Sequence, residues 1–199
     1  MSKYAKFNRE DVIDKATNLY WEKGFHGTSM RNLQDVVDLR PGSIYASFGS
    51  KENLFKEAIQ HYADVSGTQL QQYLEEFDSP LEALKHFVRN IVIGCQSTAP
   101  SGMCMLVKTI AELTDEHEDL LNQAKEKMAA VESKFTDIIQ SAIDKGELDK
   151  SNDPAKLARY VQVQIIGLRT YVRASNNLAA GDEMIDDLFS NGPFSQSCS

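Results

Sequence analysis

Residues 40–47 combine one arginine with small and hydroxyl-bearing side chains, a mixture that suits the polar edges of nucleic-acid bases and the oxygens of phosphates. Pro41 fits the first turn of a helix, and Gly42 and Ser43 leave the backbone of that turn uncovered. Unpaired N–H groups at a helix start lie at the positive end of the helix dipole, where they attract anions. The segment therefore predicts a helix that binds phosphates through its first turn and bases through its side chains.

Two short helices must position these side chains. Apolar residues recur at spacings of three and four over residues 30–37, which predicts a helix beginning after Thr28. Asp38 follows, and aspartate tolerates the left-handed conformation that a sharp turn requires. Ile44 and Phe48 lie four residues apart and are predicted to face the interior. Such short helices are stable only when packed against neighbours, although an ordinary surface helical hairpin has the same pattern.

The sequence from about Asn8 to Phe55 resembles the N-terminal helix-turn-helix of the TetR/AcrR family of bacterial repressors. The matching letters are T-S-M-R-x-L and, after the turn, L-R-P-G-S-I-Y-x-x-F-x-S-K-E-x-L. The most specific positions stand at fixed offsets from one another: Thr28, Gly42, Ser43, Ile44, Tyr45, Phe48 and Lys51. Two positions depart from the family pattern, since Gln34 replaces a usually small residue and Asp38 replaces a common glycine.

The resemblance implies a DNA-binding surface with two kinds of contact. Contacts with the phosphate backbone are expected from Thr28, Tyr45 and Lys51, and contacts in the groove from Arg40, Ser43 and Ala46. The complete predicted set is Thr28, Ser29, Arg40, Pro41, Gly42, Ser43, Tyr45, Ala46, Ser47 and Lys51.

Charge is distributed unevenly along the chain, whose net charge is −8. Residues 1–60 contain nine lysines and arginines against eight acidic residues, whereas residues 61–199 contain twelve against twenty-one. The first part can approach a polyanion if its basic side chains share a face. The side chains expected to do so are Lys3, Lys6, Arg31, Arg40 and Lys51.

Capping residues divide the chain into about nine helices, and no strand-like alternation is present. The first helix runs from Asn8 to Gly24, and one long helix follows from about Leu54 to Phe77. The later helices are predicted at about residues 79–95, 103–113, 115–146, 153–175 and 181–189. This pattern predicts an all-α fold with three parts: an N-terminal three-helix helix-turn-helix DNA-binding domain (1–50), a larger effector-binding and dimerisation domain (51–190) and a flexible tail (191–199).

The helix over residues 153–175 is apolar on two sides and therefore needs two partners. One side can pack in its own subunit, and the other, where Gly167 permits close approach, can meet a two-fold copy. In the resembled family the last two helices form a four-helix dimer interface. The predicted interface residues are Leu157, Val161, Gln164, Ile165, Gly167, Leu168, Val172, Met184, Ile185, Leu188 and Phe189. A fully buried central helix in a monomer is the alternative.

Two ways of switching are left open. Cys95 and Cys104 flank a turn, and Cys104 is expected in the first turn of the next helix, where unpaired N–H groups favour a thiolate that reacts with oxidants or electrophiles. Plain packing of two small buried side chains is the alternative. The rival is a small, mostly apolar effector. Its predicted pocket, including both cysteines, is lined by Phe87, Ile91, Cys95, Met103, Cys104, Val107, Met128, Phe135, Val163 and Tyr171.

Other classes of function receive little support. The four histidines are scattered, no CxxC motif occurs and no nucleophile is paired with a base, so we predict no metal, no cofactor and no enzymatic activity. The chain contains no apolar run long enough to span a membrane, and its N-terminus lacks the apolar stretch of a signal peptide. A cytoplasmic location without membrane contact is therefore expected.

These features predict a homodimeric transcriptional regulator, most simply a repressor, with double-stranded DNA as its partner. Two heads about 34 Å apart reach successive major grooves, so the expected operator is palindromic. A small-molecule or thiol-reactive effector is expected to release it. The alternative is a thiol-based redox protein or small-molecule binder without specific DNA binding.

Overall fold

The computed structural model of the chain describes residues 7–194. This range contains nine α-helices and no β-strand, which confirms the predicted all-α fold. The helices are α1 (Arg9–Lys23), α2 (Met30–Val37), α3 (Pro41–Phe48), α4 (Lys51–Glu76), α5 (Pro80–Arg89), α6 (Met105–Glu112), α7 (Glu118–Asp144), α8 (Pro154–Ser175) and α9 (Leu178–Ser190). No helix of the described residues is both long and apolar enough to cross a membrane.

Local capping sets the boundaries of the first two helices. The side chain of Asn8 accepts a hydrogen bond from a backbone N–H in the first turn of α1, and Gly24 ends that helix with a φ of 79°. Ser29 and Asn32 cap α2 reciprocally, each side chain accepting from the other residue's backbone N–H. Asp38 then adopts a φ of 52°, the left-handed conformation predicted for the turn. Five residues thus fix where these helices begin and end.

The segment after α5 differs from the single helix predicted to continue to residue 95. The α-helix ends at Arg89, and Asn90–Gly94 continue as one π-helical turn. In this turn the N–H of Cys95 donates to the carbonyl oxygen of Asn90 at 2.9 Å. A hydrogen bond over five residues is rare and occurs mostly as a single turn within a helix.

Two predictions near the C-terminus are wrong. Helix α9 begins at Leu178 rather than at residue 181, because the side chain of Asn177 accepts a hydrogen bond from the N–H of Ala180 at 3.0 Å. A flexible tail is predicted from residue 191, whereas a short helical turn follows α9 and buries Phe194, whose ring lies 5.3 Å from that of Phe189. Residues 195–199 of the predicted tail lie outside the described residues.

The chain divides into two compact units. Unit 1 contains the residues up to 64 together with 105–125, and unit 2 contains 65–104 together with the residues from 126 onward. Helices α4 and α7 each begin in unit 1 and end in unit 2. The predicted boundary after residue 50 separates a DNA-binding domain from an effector-binding and dimerisation domain, and this functional division stays a prediction.

The core of unit 1 packs α1, α2 and α3 with the first turns of α4. The rings of Tyr20 and Phe55 meet edge to face with their centroids 4.7 Å apart, and the ring centroid of Phe25 lies 5.1 Å from that of Phe55. Leu33 of α2 and Ile44 of α3 are fully buried. Since burying one such side chain stabilises the fold by about 2 kcal/mol, the two short helices are held by packing.

The core of unit 2 is one apolar cluster from α4, α5, α7, α8 and α9. Near its centre the rings of Phe87 and Phe135 lie 6.3 Å apart. Helix α8 contributes one whole side to the cluster, and this side is formed by Leu157, Val161, Ile165, Leu168 and Val172. One side of α8 therefore packs within its own chain.

Candidate nucleic-acid interface and effector site

The exposed side of α3 carries most of the predicted DNA-binding set. Ile44 and Phe48 are 0% and 4% exposed, so their side of the helix packs into unit 1. The other side displays Tyr45, which is 48% exposed. The predicted residues that are exposed or half-buried in this segment are Arg40, Pro41, Gly42, Ser43, Tyr45, Ala46 and Ser47. The structure thus leaves these seven residues accessible on and beside one short helix.

The first turn of α3 is open to an anion. Arg40 occupies the N-cap position, and its exposed side chain makes no hydrogen bond to that turn. Pro41 has no N–H, and a Cβ placed on Gly42 would meet no atom within 4 Å. A phosphate can therefore approach the backbone at Gly42 closely, with the guanidinium of Arg40 two residues away in the chain.

Thr28 and Ser29 have structural roles in the turn before α2. Thr28 is 0% exposed, and its hydroxyl donates to the carbonyl oxygen of Gly24 at 2.7 Å. The hydroxyl of Thr28 is therefore buried and already bonded within the chain, and the phosphate contact expected of this residue stays a prediction. Ser29 is exposed, and its hydroxyl donates to the side chain of Asn32 at 2.8 Å while capping α2.

Lys51 is turned toward the segment between α1 and α2. Its ammonium group donates to the carbonyl oxygen of Phe25 at 2.7 Å and lies 4.1 Å from the centroid of the Phe25 ring. Burial lowers the pKa of Lys51 below its usual value, and the charges of Glu52 and Glu112 oppose this effect only in part. The side chain fastens the start of α4 to the turn, and its predicted phosphate contact stays a prediction.

Helix α6 supplies two functional side chains that sequence reasoning missed. Lys108 donates to the carbonyl oxygens of Trp21 and Glu22 at 2.6 and 2.9 Å. These carbonyls belong to the last turn of α1, where a helix leaves its C=O groups without internal partners. One turn further along α6, the carboxylate of Glu112 accepts from the N–H groups of Phe25 and His26, which follow Gly24, at 3.1 and 2.7 Å. Helix α6 thus caps both the end of α1 and the turn that leads into α2.

Gly24 explains how Glu112 can approach this turn. A Cβ placed on Gly24 would overlap the carboxylate of Glu112. The φ of +79° at Gly24 would also strain any other residue. The family resemblance gives no signal for this contact, since its two partners are 88 positions apart in the sequence.

The predicted dimer interface lies mostly in the core. Eight of its members are at most 8% exposed and belong to the apolar cluster of unit 2: Leu157, Val161, Ile165, Leu168, Val172, Ile185, Leu188 and Phe189. These eight side chains already pack within their own chain, and their predicted contact with a partner stays a prediction. Gln164 is half-buried, and Gly167 and Met184 are exposed, so these three remain available to a partner.

The opposite side of α8 is apolar and exposed. We call it the outer face and define it by residues that recur at three and four positions: Tyr160, Val163, Gly167 and Tyr171. Val163 is 63% exposed and Tyr171 is 41% exposed. A Cβ placed on Gly167 would meet no atom within 4 Å. Large apolar side chains displayed together on one helix side are typical of a protein–protein contact.

The predicted effector pocket draws on residues from several environments, and it stays a prediction. Phe87 and Phe135 belong to the core, Val163 and Tyr171 belong to the outer face of α8, and Val107 lies in unit 1. The remaining members are all half-buried: Ile91, Cys95, Met103, Cys104 and Met128. The predicted set mixes these environments because spacing alone does not distinguish the inner from the outer side of a helix.

Cys95 and Cys104 lie at the two ends of the segment between the π-helical turn and α6. Cys104 immediately precedes Met105, the first residue of α6, so the prediction that it lies in the first turn of the helix is wrong. Both cysteines are half-buried, and no disulfide joins them. Burial raises the pKa of Tyr73, with smaller contributions in the same direction from Glu76 and Cys95.

A cavity of about 520 Å³ lies in unit 2, and one of its lining residues, Gly94, directly precedes Cys95 in the sequence. It is lined by Tyr73, His86, Arg89, Asn90, Ile93, Gly94, Leu178, Ala179 and Asp182. Its volume suits a small organic molecule. Arg89 on its wall is already paired with Asp182 and Asp186, at 2.6 and 2.7 Å. None of the predicted pocket residues lines this cavity.

Protein-family models match both the N-terminal and the C-terminal part of the chain. The family model described as bacterial regulatory proteins, tetR family, matches residues 12–58, and the model of the tetracyclin repressor-like C-terminal domain matches residues 80–187. The HTH-type transcriptional repressor ComR of Escherichia coli (strain K12) is 24% identical over 174 residues, which cover 86% of this chain and 82% of ComR.

Solved structures show the same fold. A cysteine mutant of the TetR family transcriptional regulator CifR, complexed with 26-bp double-strand operator DNA, aligns with a TM-score of 0.86 at 23% identity, covering 96% of this chain and 100% of that chain. The reduced form of E. coli NemR aligns with a TM-score of 0.79 at 19% identity, covering 92% and 93%.

Proposed function

Because the chain belongs to the TetR family of bacterial regulatory proteins, we propose that it is a homodimeric transcriptional repressor that binds a palindromic operator and is released by an effector bound in unit 2. The proposal includes a cytoplasmic location and a role in regulation rather than catalysis. ComR, which is similar over most of its length, is named a repressor, and the similar CifR structure contains operator DNA.

The exposed side of α3 is the observation that carries this proposal. An eight-residue helix is about 12 Å long, and its small side chains allow it to enter a major groove. Arg40 can form paired hydrogen bonds with a guanine, and the hydroxyl of Tyr45 can reach a phosphate. Arg31 and Arg40 are exposed in unit 1, so binding is expected to weaken as salt concentration rises.

The outer face of α8 supports the dimeric state. A two-fold axis near Gly167 would bring two α8 helices together closely, because this residue has no side chain and its surroundings are open. Val163 and Tyr171 then bury their exposed apolar surface against the partner. Met184 of α9, which is 43% exposed, extends the contact. Dimerisation doubles the DNA surface that one short helix can cover.

A gel-shift titration with the DNA upstream of the protein's own gene tests the proposal. Specific binding at about nanomolar concentration, exceeding binding to random duplex by about a thousandfold, is expected of an operator-binding repressor. Equal affinity for both duplexes would favour a small-molecule or thiol-based function without specific DNA recognition.

A thiol-reactive inducer is a second candidate for the effector, favoured by Cys95 and Cys104. Both thiols are half-buried at the ends of one segment, and Cys104 is joined directly to the first residue of α6. Two of the similar structures are described by the state of their cysteines, one as a cysteine mutant and one as a reduced form. Oxidation or alkylation at either position would add volume or a covalent link next to a helix boundary.

Serine substitutions separate the two kinds of inducer. If thiol chemistry releases the operator, the variants Cys95→Ser and Cys104→Ser should stay bound when peroxide or an electrophile is added, whereas the unmodified protein dissociates. If all three proteins respond alike, the cysteines are packing residues and the inducer binds without covalent reaction.

A further inference from the structure

Arg169 of α8 is a buried cation without an acidic partner among the described residues. It is 5% exposed, and its Nε donates to the carbonyl oxygen of Gly102 at 2.9 Å. Among the described residues its two terminal nitrogens form no hydrogen bond, and they are not among the fully enclosed side-chain atoms that lack a partner, so they keep access to solvent or to a ligand. A buried charge is unfavourable unless an opposite charge or several hydrogen bonds compensate it. The position therefore favours the binding of an anion.

Gln162 lies on the same side of α8 as Arg169, seven residues earlier and thus about 10 Å away along the helix axis. Its side-chain N–H donates to the carbonyl oxygen of Met128 at 3.2 Å. Its Oε1 is buried and accepts from no donor of residues 7–194. Buried acceptors are nearly always hydrogen-bonded, so this oxygen favours a donor from outside the chain.

The surface between these two polar groups is apolar. Ile166 lies between Gln162 and Arg169 on this side of the helix, and it is half-buried. The sulfur of Met128 lies 3.8 Å from the amide nitrogen of Gln162. Near the other end, the sulfur of Met103 lies 3.9 Å from the hydroxyl of Thr170, the residue after Arg169. Methionine side chains adapt their shape to apolar ligands.

We propose that the effector is an amphipathic organic anion, with its carboxylate on Arg169, its apolar body along Ile166 between the two methionines, and a hydrogen-bond donor on Gln162. This inference rests on the proposed function, because it names the chemical class of the effector. Such a ligand matches the order of groups along α8. Its anionic group would meet the cation of Arg169, its apolar chain would meet Ile166, and its N–H or O–H donor would meet the unpaired acceptor of Gln162.

Arg173 provides a matched control one turn further along α8. Its guanidinium lies 3.4 Å from the hydroxyl of Ser101, but the residue is exposed and its charge is hydrated. Pairing a hydrated arginine with an anion contributes little binding free energy. A buried arginine contributes more, because the anion supplies a partner that the fold does not provide. Arg169 and Arg173 should therefore differ in their effect on ligand affinity.

Calorimetric titration of the full-length protein with three probes tests the inference: ω-hydroxyoctanoate, octanoate and octane diol. We expect the strongest binding for ω-hydroxyoctanoate and the weakest for the uncharged diol. Arg169→Met should weaken carboxylate binding by about ten to a hundredfold, Arg169→Lys should restore part of the affinity, and Arg173→Gln should leave it unchanged. Gln162→Leu should abolish the preference for the hydroxylated acid.

The outcomes separate this inference from the proposed function. Three results would overturn the anionic effector. The acids and the diol could bind equally, a folded Arg169→Met variant could keep its full affinity for the carboxylates, or neither acid could bind. If Arg169→Met does not fold, Arg169→Lys still tests the inference, because lysine keeps a long side chain. Operator binding is measured separately without probe, so a protein that binds its operator but no anion loses only this inference.

Discussion

We expect the side chain of Arg40 to distinguish bases, since it is exposed at the start of α3 and makes no hydrogen bond to the first turn. Arg40→Ala should reduce discrimination at one base pair by about 1–3 kcal/mol and should affect the other positions little. Titration of operators with single base-pair changes measures this effect. Tyr45→Phe is the control, because loss of a phosphate contact weakens all sequences alike. A uniform loss with Arg40→Ala would assign Arg40 to the phosphates.

Lys51 is a basic residue whose contacts are within the chain. Lys51→Ala removes the bond to the Phe25 carbonyl and the contact with its ring, so we expect the free energy of unfolding to fall by about 1–2 kcal/mol. If the ammonium group keeps these contacts when DNA binds, the salt dependence of DNA binding should not change. Urea denaturation and gel shifts at several salt concentrations measure the two quantities.

Lys56→Ala is the matched control for Lys51→Ala. Lys56 pairs with Asp119 at 3.3 Å on the surface, so its loss should lower stability by less than about 1 kcal/mol. A decrease of about one in the salt slope for Lys51→Ala would instead show that its ammonium group contacts a phosphate.

Tyr20 makes the stability of unit 1 sensitive to alkaline pH. Its hydroxyl donates to the carbonyl oxygen of Lys51 at 3.1 Å, and burial raises the pKa of Tyr20 above its ordinary value of 10.0. Above about pH 10 the unfolded phenol ionises while the folded one keeps its proton, so stability falls as the pH rises. The lowered pKa of Lys51 acts in the opposite direction, but Lys51 is less buried.

Tyr20→Phe tests this dependence. The variant should be about 1 kcal/mol less stable at neutral pH, because it lacks one hydrogen bond. Its melting temperature should fall less steeply above about pH 10 than that of the unmodified protein. Parallel melting curves over this range would mean that Tyr20 does not govern the alkaline transition.

Residue types in the N-terminal part predict local structure well and tertiary roles poorly. Asn8, Gly24 and Asp38 act on backbone groups within a few residues, so their conformations follow from the sequence. Thr28 and Lys51 look like phosphate ligands by type and position. Their actual partners, the carbonyls of Gly24 and Phe25, depend on how α1, α2 and α4 pack.

At the scale of elements, α6 holds the turn between α1 and α2. Glu112→Ala leaves two backbone N–H groups without their charged acceptor, so we expect unit 1 to lose about 2–3 kcal/mol of stability. Hydrogen exchange at Phe25 and His26 measures the effect directly, and both amides should exchange faster.

Glu116→Ala is the control for Glu112→Ala, since Glu116 is an exposed carboxylate shortly after α6. It should leave exchange at the two amides unchanged. If Glu112→Ala also leaves them protected, another acceptor satisfies the turn.

No sequence signal predicts this use of α6. The amphipathic pattern indicates a helix near residues 103–113, and the structure contains α6 there. Which backbone groups its charged side chains reach depends on contacts across 86 and 87 positions in the sequence. Periodicity fixes the type and orientation of a helix but does not identify distant partners.

At the scale of the whole molecule, we expect the outer face of α8 to form the contact between two copies of the chain. Val163→Glu places a charge on the outer face without disturbing the core, because Val163 is 63% exposed. We expect a monomer in size-exclusion chromatography, an unchanged fold, and an affinity for a palindromic operator lower by about a hundredfold.

Val65→Glu is the matched control, since Val65 is 54% exposed on α4 and outside the outer face. This variant should remain dimeric and bind the operator normally. A dimeric Val163→Glu variant would place the interface elsewhere.

The sequence shows that α8 has two apolar sides but not which one faces the interior. Leu157, Val161 and Leu168 read as a possible interface, yet they pack against the cluster that contains Phe87 and Phe135. Both sides satisfy the same spacing rule. Only the positions of α5, α7 and α9 decide which side remains for a partner.

The discontinuous composition of unit 1 constrains how hybrid regulators can be built from this chain. A graft that transfers only the residues before a cut at position 50 would separate the last turn of α1 from Lys108 and the following turn from Glu112. The recipient would need an equivalent basic and acidic pair on its own sixth helix. A transferable cassette therefore consists of two pieces, the residues up to 64 and the segment 105–125, exchanged together.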